Sequence, residues 1–120
     1  MTEHQNVKAI REMSDSDTMT PLDMATDDIV WHVIGRAEPY RGKAAVMESW
    51  KGSDAEWVGQ TTHDVLANDD HAVVLVESTM RRGGRTMTYR TAEIYHLRDG
   101  KISERWAFSD DTDAINRFFA

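Results

Sequence analysis

The chain has 120 residues, the size of one domain, and its 21 acidic and 14 basic side chains give a net charge of −7. This charge argues against binding to duplex nucleic acid, where affinity depends on neutralising phosphates, and the lack of cysteine excludes disulfides, thiolate nucleophiles and cysteine-ligated zinc. The longest strictly apolar run, Ala72–Val76, is too short to cross a bilayer, so we expect a soluble, cytoplasmic protein with a single domain over residues 1–120.

The first part of the chain predicts helices separated by one strand. Apolar residues spaced three apart favour a helix over residues 3–13. Residues 20–23, Thr-Pro-Leu-Asp, have an N-cap, a first-turn proline and the acid of a capping box, so another helix is expected to begin there. The β-branched run Ile29–Ile34 predicts a strand, and residues 44–50 predict a short helix that ends before a glycine.

From Glu56 onward the apolar residues recur with a period of two, which predicts strands. We expect four strands joined by tight turns, at residues 56–66, 71–80, 85–97 and 102–109, and a closing helix within 110–120. Helices followed by an antiparallel meander indicate an α+β fold with N-terminal helices on one face of a curved, mostly antiparallel sheet.

The predicted sheet is apolar on both faces. In the strand at 71–80, alanine, valine and leucine side chains point to both sides, and Trp106 and Phe108 share one face of the last strand. The predicted helices suffice to cover one side only. We therefore expect the other side to meet a second copy of the chain in a symmetric homodimer.

Glu93 is the acidic residue with the clearest candidate role. It belongs to the more apolar alternate residues of strand 85–97, so it is expected to point toward the core with Tyr89 and Tyr95. A buried carboxyl must be protonated or paired with a cation. Two roles stay open: a general acid or donor to a developing oxyanion, or a salt bridge with Arg105 or another arginine.

His63 is the candidate base. It forms an acid–base pair with Glu93 if both point into one cavity, and is otherwise a hydrogen-bonded structural histidine. None of the five histidines has a metal-binding spacing, and neither a phosphate-binding loop nor a nucleophile elbow occurs. We therefore expect no metal, no cofactor, and neither nucleic acid nor membrane as a partner.

Four segments occur in a characteristic order: Asp27–Val33, Tyr40–Val46, His63–Asp70 and Arg98–Ile102. They resemble the SnoaL-like proteins of the nuclear transport factor two superfamily, which is also called ketosteroid isomerase-like. The resemblance implies a cone-shaped α+β barrel with a hydrophobic cavity at its open end, commonly in a homodimer. The superfamily includes ketosteroid isomerases, scytalone dehydratases, polyketide cyclases and limonene epoxide hydrolases, and its members often bind small apolar molecules.

The resemblance also implies roles for individual residues. Glu93 falls where ketosteroid isomerases place the protonated acid of their oxyanion hole. Val33 stands in the position of the isomerase base but cannot take a proton, and Ala9 stands approximately in that of the isomerase tyrosine, so two of the three parts of the isomerase site are missing. Ala107 lies near the position of the last aspartate of the epoxide hydrolases.

The last strand has two possible orientations. The resemblance turns Arg105, Ala107 and Ser109 into the cavity, whereas the apolar pattern alone turns Ile102, Trp106 and Phe108 inward. We expect the first orientation, with the other set on the dimer face. The expected catalytic residues are Glu93 and His63, and the expected ligand-binding residues are Trp31, Val33, Tyr89, Tyr95, Arg105 and Ala107.

These observations favour a protein that binds a small apolar molecule in a pocket. It is either a cofactor-independent acid–base enzyme of the isomerase, dehydratase or cyclase type that uses Glu93, or a non-catalytic ligand-binding or dimerisation module on the same fold.

Overall fold

The computed structural model describes residues 3–120, so the first two residues of the predicted domain lie outside the described residues. The helices are α1 (Gln5–Asp15), α2 (Lys43–Lys51) and α3 (Thr112–Phe119); the strands are β1 (Ala25–Trp31), β2 (Tyr40–Arg41), β3 (Glu56–Ala67), β4 (His71–Arg82), β5 (Arg85–Arg98) and β6 (Lys101–Ser109). None of the helices in this described part is long and apolar enough to cross a membrane. The cytoplasmic location stays a prediction.

The six strands form one curved sheet in the order β2-β1-β6-β5-β4-β3. Strands β3 to β6 are the antiparallel meander that the period-two pattern predicts, and β1 lies parallel to β6. The two end strands, β2 and β3, do not pair with each other, so the barrel stays open. This arrangement of helices and sheet confirms the predicted α+β fold.

The helix expected to begin at residues 20–23 lasts only one 3-10 turn, Pro21–Met24. The capping residues act as the sequence predicts, since the Thr20 backbone N–H donates to Asp23 Oδ2 at 2.7 Å. However, Ala25 already pairs with Ile102 of β6, four residues before the predicted start of the strand. Pairing with β6 therefore ends the helix early.

The core lies on the side of the sheet where α1 and α2 pack, called here the inner face. Ile10 of α1 and Val46 of α2 are fully buried there together with Val74 of β4. The opposite side, called here the outer face, keeps large apolar side chains accessible. Leu66 is 53 % exposed on it and Phe108 is 58 % exposed.

A β-bulge at Ser103 shifts the register between β5 and β6. Leu97 pairs with Ile102, but Tyr95, two residues earlier on β5, pairs with Arg105, three residues later on β6. Strand β6 therefore has one extra residue, Ser103, and the alternation of its side chains is reversed from that point on.

The bulge reconciles the two orientations expected for the last strand. Before the bulge, Ile102 points inward and is fully buried, as the apolar pattern predicts. Beyond the bulge, Arg105 and Ala107 pair with inner-face residues of β5, as the resemblance implies. Trp106 and Phe108 then lie on the outer face.

Two-residue turns fix the register of the meander. Gly83 and Gly84 join β4 to β5 with φ of +56° and +77°, and Asp99 and Gly100 join β5 to β6 with φ of +53° and +77°. Two consecutive positive φ values are typical of type I′ hairpins, whose twist matches that of the strands. These turns hold β5 in register with both of its neighbours.

Candidate functional site

Glu93 lies on the inner face, in the middle of β5. It is in register with Val74 of β4 and Ala107 of β6. Its side chain is 14 % exposed. The structure thus places this carboxyl on the core side of the sheet, where the alternation of the strand predicts it.

Arg105 is the ionic partner of Glu93. Its Nη2 donates to Glu93 Oε1 at 2.5 Å, and its side chain is 13 % exposed. Its Nη1 donates to the backbone carbonyl of His32 at 2.8 Å. The sequence left two roles open for Glu93, and in the structure Glu93 forms the salt bridge. A carboxylate that accepts from a guanidinium is not the protonated donor that the resemblance implies.

Two tyrosines stand on the same face as this ion pair. The Tyr95 hydroxyl donates to Glu93 Oε2 over a long 3.4 Å. Burial, together with the negative charge of Glu93, raises the pKa of Tyr95 well above its ordinary value. Burial and Glu93 also raise the pKa of Tyr89. Both phenols therefore stay protonated at neutral pH and are available as donors.

Trp31 forms the apolar wall beside Arg105. It is 6 % exposed, and the Arg105 guanidinium carbon lies 4.3 Å from its ring centroid, a cation–π contact. Trp50 of α2 meets Trp31 edge-on at 5.5 Å. Val33, which we expected in the same wall, lies past the end of β1 and is 36 % exposed. A role for Val33 in binding a ligand stays a prediction.

His63 does not join Glu93. It is the extra residue of a bulge in β3, between the pairs Thr62–Val76 and Asp64–Leu75. Its exposed side chain borders an open depression of about 730 Å³, lined also by outer-face residues of β4, β5 and β6. The proposed acid–base pair of Glu93 and His63 is therefore not formed, because the bulge turns the imidazole to the other face.

Two parts of this site were missed in the sequence. The His32 carbonyl has no side-chain signal, so only the fold shows that it binds Arg105. Trp50 was recognised as a helical residue, but its contact with Trp31 depends on how α2 packs against β1.

A second cluster lies on the outer face, around Glu104. His32 Nε2 lies 2.8 Å from Glu104 Oε2, and His96 Nδ1 lies 3.8 Å from Glu104 Oε1. The His71 ring is 4.8 Å from that of His96. Within residues 3–120, no group of three or more histidine, aspartate or glutamate side chains is arranged to hold a metal ion.

The sequence and fold were compared with known proteins. A family model described as the SnoaL-like domain matches residues 7–105, which is most of the chain. The chain belongs to the SnoaL-like family. No curated protein sequence matches this SnoaL-like chain significantly.

Solved structures share the fold of this SnoaL-like chain. Bal32a, from a soil-derived mobile gene cassette, is 19 % identical, with a TM-score of 0.78 and 97 % of each chain covered. A Mesorhizobium loti protein described as SnoaL-like is 20 % identical, with a TM-score of 0.72 over 90 % of this chain and 99 % of that one. An NTF2-like protein of unknown function from Cytophaga hutchinsonii is 18 % identical, with a TM-score of 0.64 over 85 % and 93 %. These likenesses show the NTF2-like fold.

Proposed function

We propose that this SnoaL-like protein binds a small, mostly apolar molecule on the inner face of the sheet, beside Glu93 and Arg105. The ion pair of these two residues carries the proposal. Removing two charges from water costs free energy that a hydrophobic pair would not cost, so stability alone does not explain the pair. Trp31 packs against Arg105 and Tyr89 lies on the same face of the sheet, and a few polar groups in an apolar wall are typical of small-molecule sites.

In this proposal Glu93 is the base and Arg105 the donor to a ligand oxygen. Glu93 Oε2 has only the long contact from Tyr95 among the described residues, which leaves it free to accept a proton. Arg105 Nε is buried without a hydrogen-bond partner among residues 3–120, and a buried donor normally has one. Such a pair suits cofactor-independent proton transfer of the isomerase, dehydratase or cyclase type, in which Arg105 stabilises the negative charge on oxygen.

A thermal-shift screen tests this proposal, because a ligand that binds only the folded protein raises its Tm. The library contains small apolar molecules with one carbonyl or hydroxyl group. Glu93→Gln and Arg105→Met should lose the shift measured against their own unliganded Tm. Glu77→Gln is the matched control, since Glu77 pairs with Arg90 at 3.2 Å across β4 and β5 on the outer face. Equal shifts in Glu93→Gln and wild type would contradict the proposal.

The second function that we propose is homodimerisation through the outer face. Strands β3 to β6 have 9 to 14 residues each. At the usual spacing and rise, four such strands present roughly 19 Å by 40 Å of surface, about 760 Å². A stable interface of standard size buries about 800 Å² on each partner. The exposed Phe108 and Leu66 lie on this surface.

The charges of the outer face favour a second copy as the partner. The whole chain carries −7, so two copies repel unless they meet where charges are balanced. On the outer face Glu77 pairs with Arg90 and Asp28 with Arg98, at 3.2 and 2.9 Å. Light scattering at micromolar concentration should give the mass of a dimer, and a monomeric mass would refute this function.

A further inference from the structure

Four of the five histidines lie on the outer face, which is the proposed dimer interface. Three of them gather near Glu104 from separate parts of the chain: His32 directly after β1, His71 at the start of β4 and His96 near the end of β5. The fourth is His63, beside the open depression. The only histidine elsewhere among the described residues is His4, which caps α1 and lies 3.0 Å from Asp69.

The histidine cluster is continuous with the apolar part of the outer face. The His32 ring stacks on Trp106 at 4.9 Å with an interplanar angle of 6°, and the His96 ring meets the same indole at 4.6 Å. The side chains of His32 and Glu104 are both 29 % exposed, and that of His96 is 43 % exposed. A second copy seated on Trp106 would therefore also remove these imidazoles from water.

We propose that these histidines make the association of two copies depend on pH, so that the dimer forms at neutral pH and is weakened at acidic pH, where an imidazole can carry an added proton. The proposal rests on the proposed homodimer and adds its regulation.

The balance of charge around the cluster gives the direction of the effect. Glu104 carries one negative charge and can balance one protonated histidine. Among the other charged groups of these strands, Asp28 of β1 is already paired with Arg98 of β5, and Lys101 at the start of β6 adds positive charge. A second proton, on His96 or on its neighbour His71, is therefore unbalanced.

An unbalanced charge affects the dimer and the separate copies differently. In a separate copy water solvates the second imidazolium, whereas in the dimer it is buried at a large cost in free energy. Protons therefore bind more tightly to the separated copies. If each copy takes up one such proton on separation, the dimer Kd rises about 100-fold for each unit by which the pH falls across the transition.

The test measures the dimer Kd at about pH 8 and about pH 5.5, at constant ionic strength, by sedimentation or light scattering over a dilution series. Far-ultraviolet circular dichroism at both pH values verifies that the chain stays folded. We expect a Kd at least tenfold higher at the lower pH for wild type. The triple variant His32→Asn, His71→Asn, His96→Asn should show a clearly smaller change with pH than wild type. His4→Asn is the matched control and should behave like wild type.

The outcomes separate this proposal from the one on which it rests. A wild-type dimer that is equally tight at both pH values refutes the pH dependence and leaves the dimer in place. A monomer at pH 8 refutes the dimer and the pH dependence together. If the dimer Kd of the triple variant rises at low pH as much as that of wild type, the role of the histidines is also refuted. If the triple variant fails to fold, the exposed His71→Asn alone should show a smaller pH effect than wild type, and an unchanged effect overturns the proposal.

Discussion

Glu93 and Arg105 form an ion pair whose energetics can be measured with a double-mutant cycle. Both side chains are at least 86 % buried, so Glu93→Gln leaves a guanidinium in the core without its counter-charge. Breaking a buried pair in this way costs about 3 kcal/mol or more. Arg105→Met leaves Glu93 with only the long Tyr95 contact and should cost about the same.

The double variant Glu93→Gln, Arg105→Met should lose much less free energy of unfolding than the sum of the losses in the two single variants. Removing both charges also removes the cost of burying them, so the main loss is the hydrogen bond from Arg105 to the His32 carbonyl and the contact with Trp31. We expect a total cost of about 2 kcal/mol instead of the about 6 kcal/mol that independent effects would give.

Urea denaturation at neutral pH and one fixed protein concentration measures these differences, with Asp27→Asn as the control. Asp27 of β1 lies 3.8 Å from Lys43 of α2, outside the proposed dimer strands, and both side chains are exposed, so breaking this pair should cost little. If Glu93→Gln costs no more than Asp27→Asn, or if the effects of Glu93→Gln and Arg105→Met are additive, the inner pair is not a desolvated pair and the argument for a site there fails.

Phe108→Asp should shift the mass toward that of a monomer with little change in the stability of the separated subunit, since the side chain is 58 % exposed; an unchanged dimer in light scattering would exclude this surface from the interface. Stability should fall as the pH rises above about 10, because the raised pKa values of Tyr89 and Tyr95 let the folded chain keep protons that the unfolded chain loses; a flat stability profile in alkaline urea titrations would contradict this. Gly100→Ala should cost about 1 kcal/mol because φ is +77°, whereas Gly52→Ala, at φ −79°, should cost nothing; equal thermal unfolding of both variants would contradict the argument.

The meander and the orientation of Glu93 could be predicted from the sequence because both follow from alternation along a strand. Twelve residues of β5, from Arg85 to His96, pair with β4 without a bulge, so the side on which Glu93 lies could be counted from any apolar residue of this stretch. The residues that contact Glu93 were harder to predict from the sequence. That Arg105 is the arginine bound to it depends on the register of two strands, which no local pattern contains.

The errors arose where a strand has an extra residue or ends. The bulge at His63 has no side-chain pattern of its own, so counting through it placed the imidazole on the wrong face. Val33 was counted as a continuation of β1, which stops two residues earlier. In both cases the alternation of inward and outward side chains was read correctly, but it was continued past a bulge or a strand end, where it no longer applies.

The extra residue Ser103 decides which side chains of β6 are buried and which are exposed along the rest of the strand. Without it, every side chain downstream would exchange its environment with its neighbour: the guanidinium of Arg105 would face water, and the indole of Trp106 would enter the interior. Because of this one inserted serine, the same short strand buries Ile102 in the hydrophobic core and, three residues further on, turns Arg105 toward Glu93. Lengthening or shortening this strand by one residue is therefore a more radical change than replacing any of its side chains.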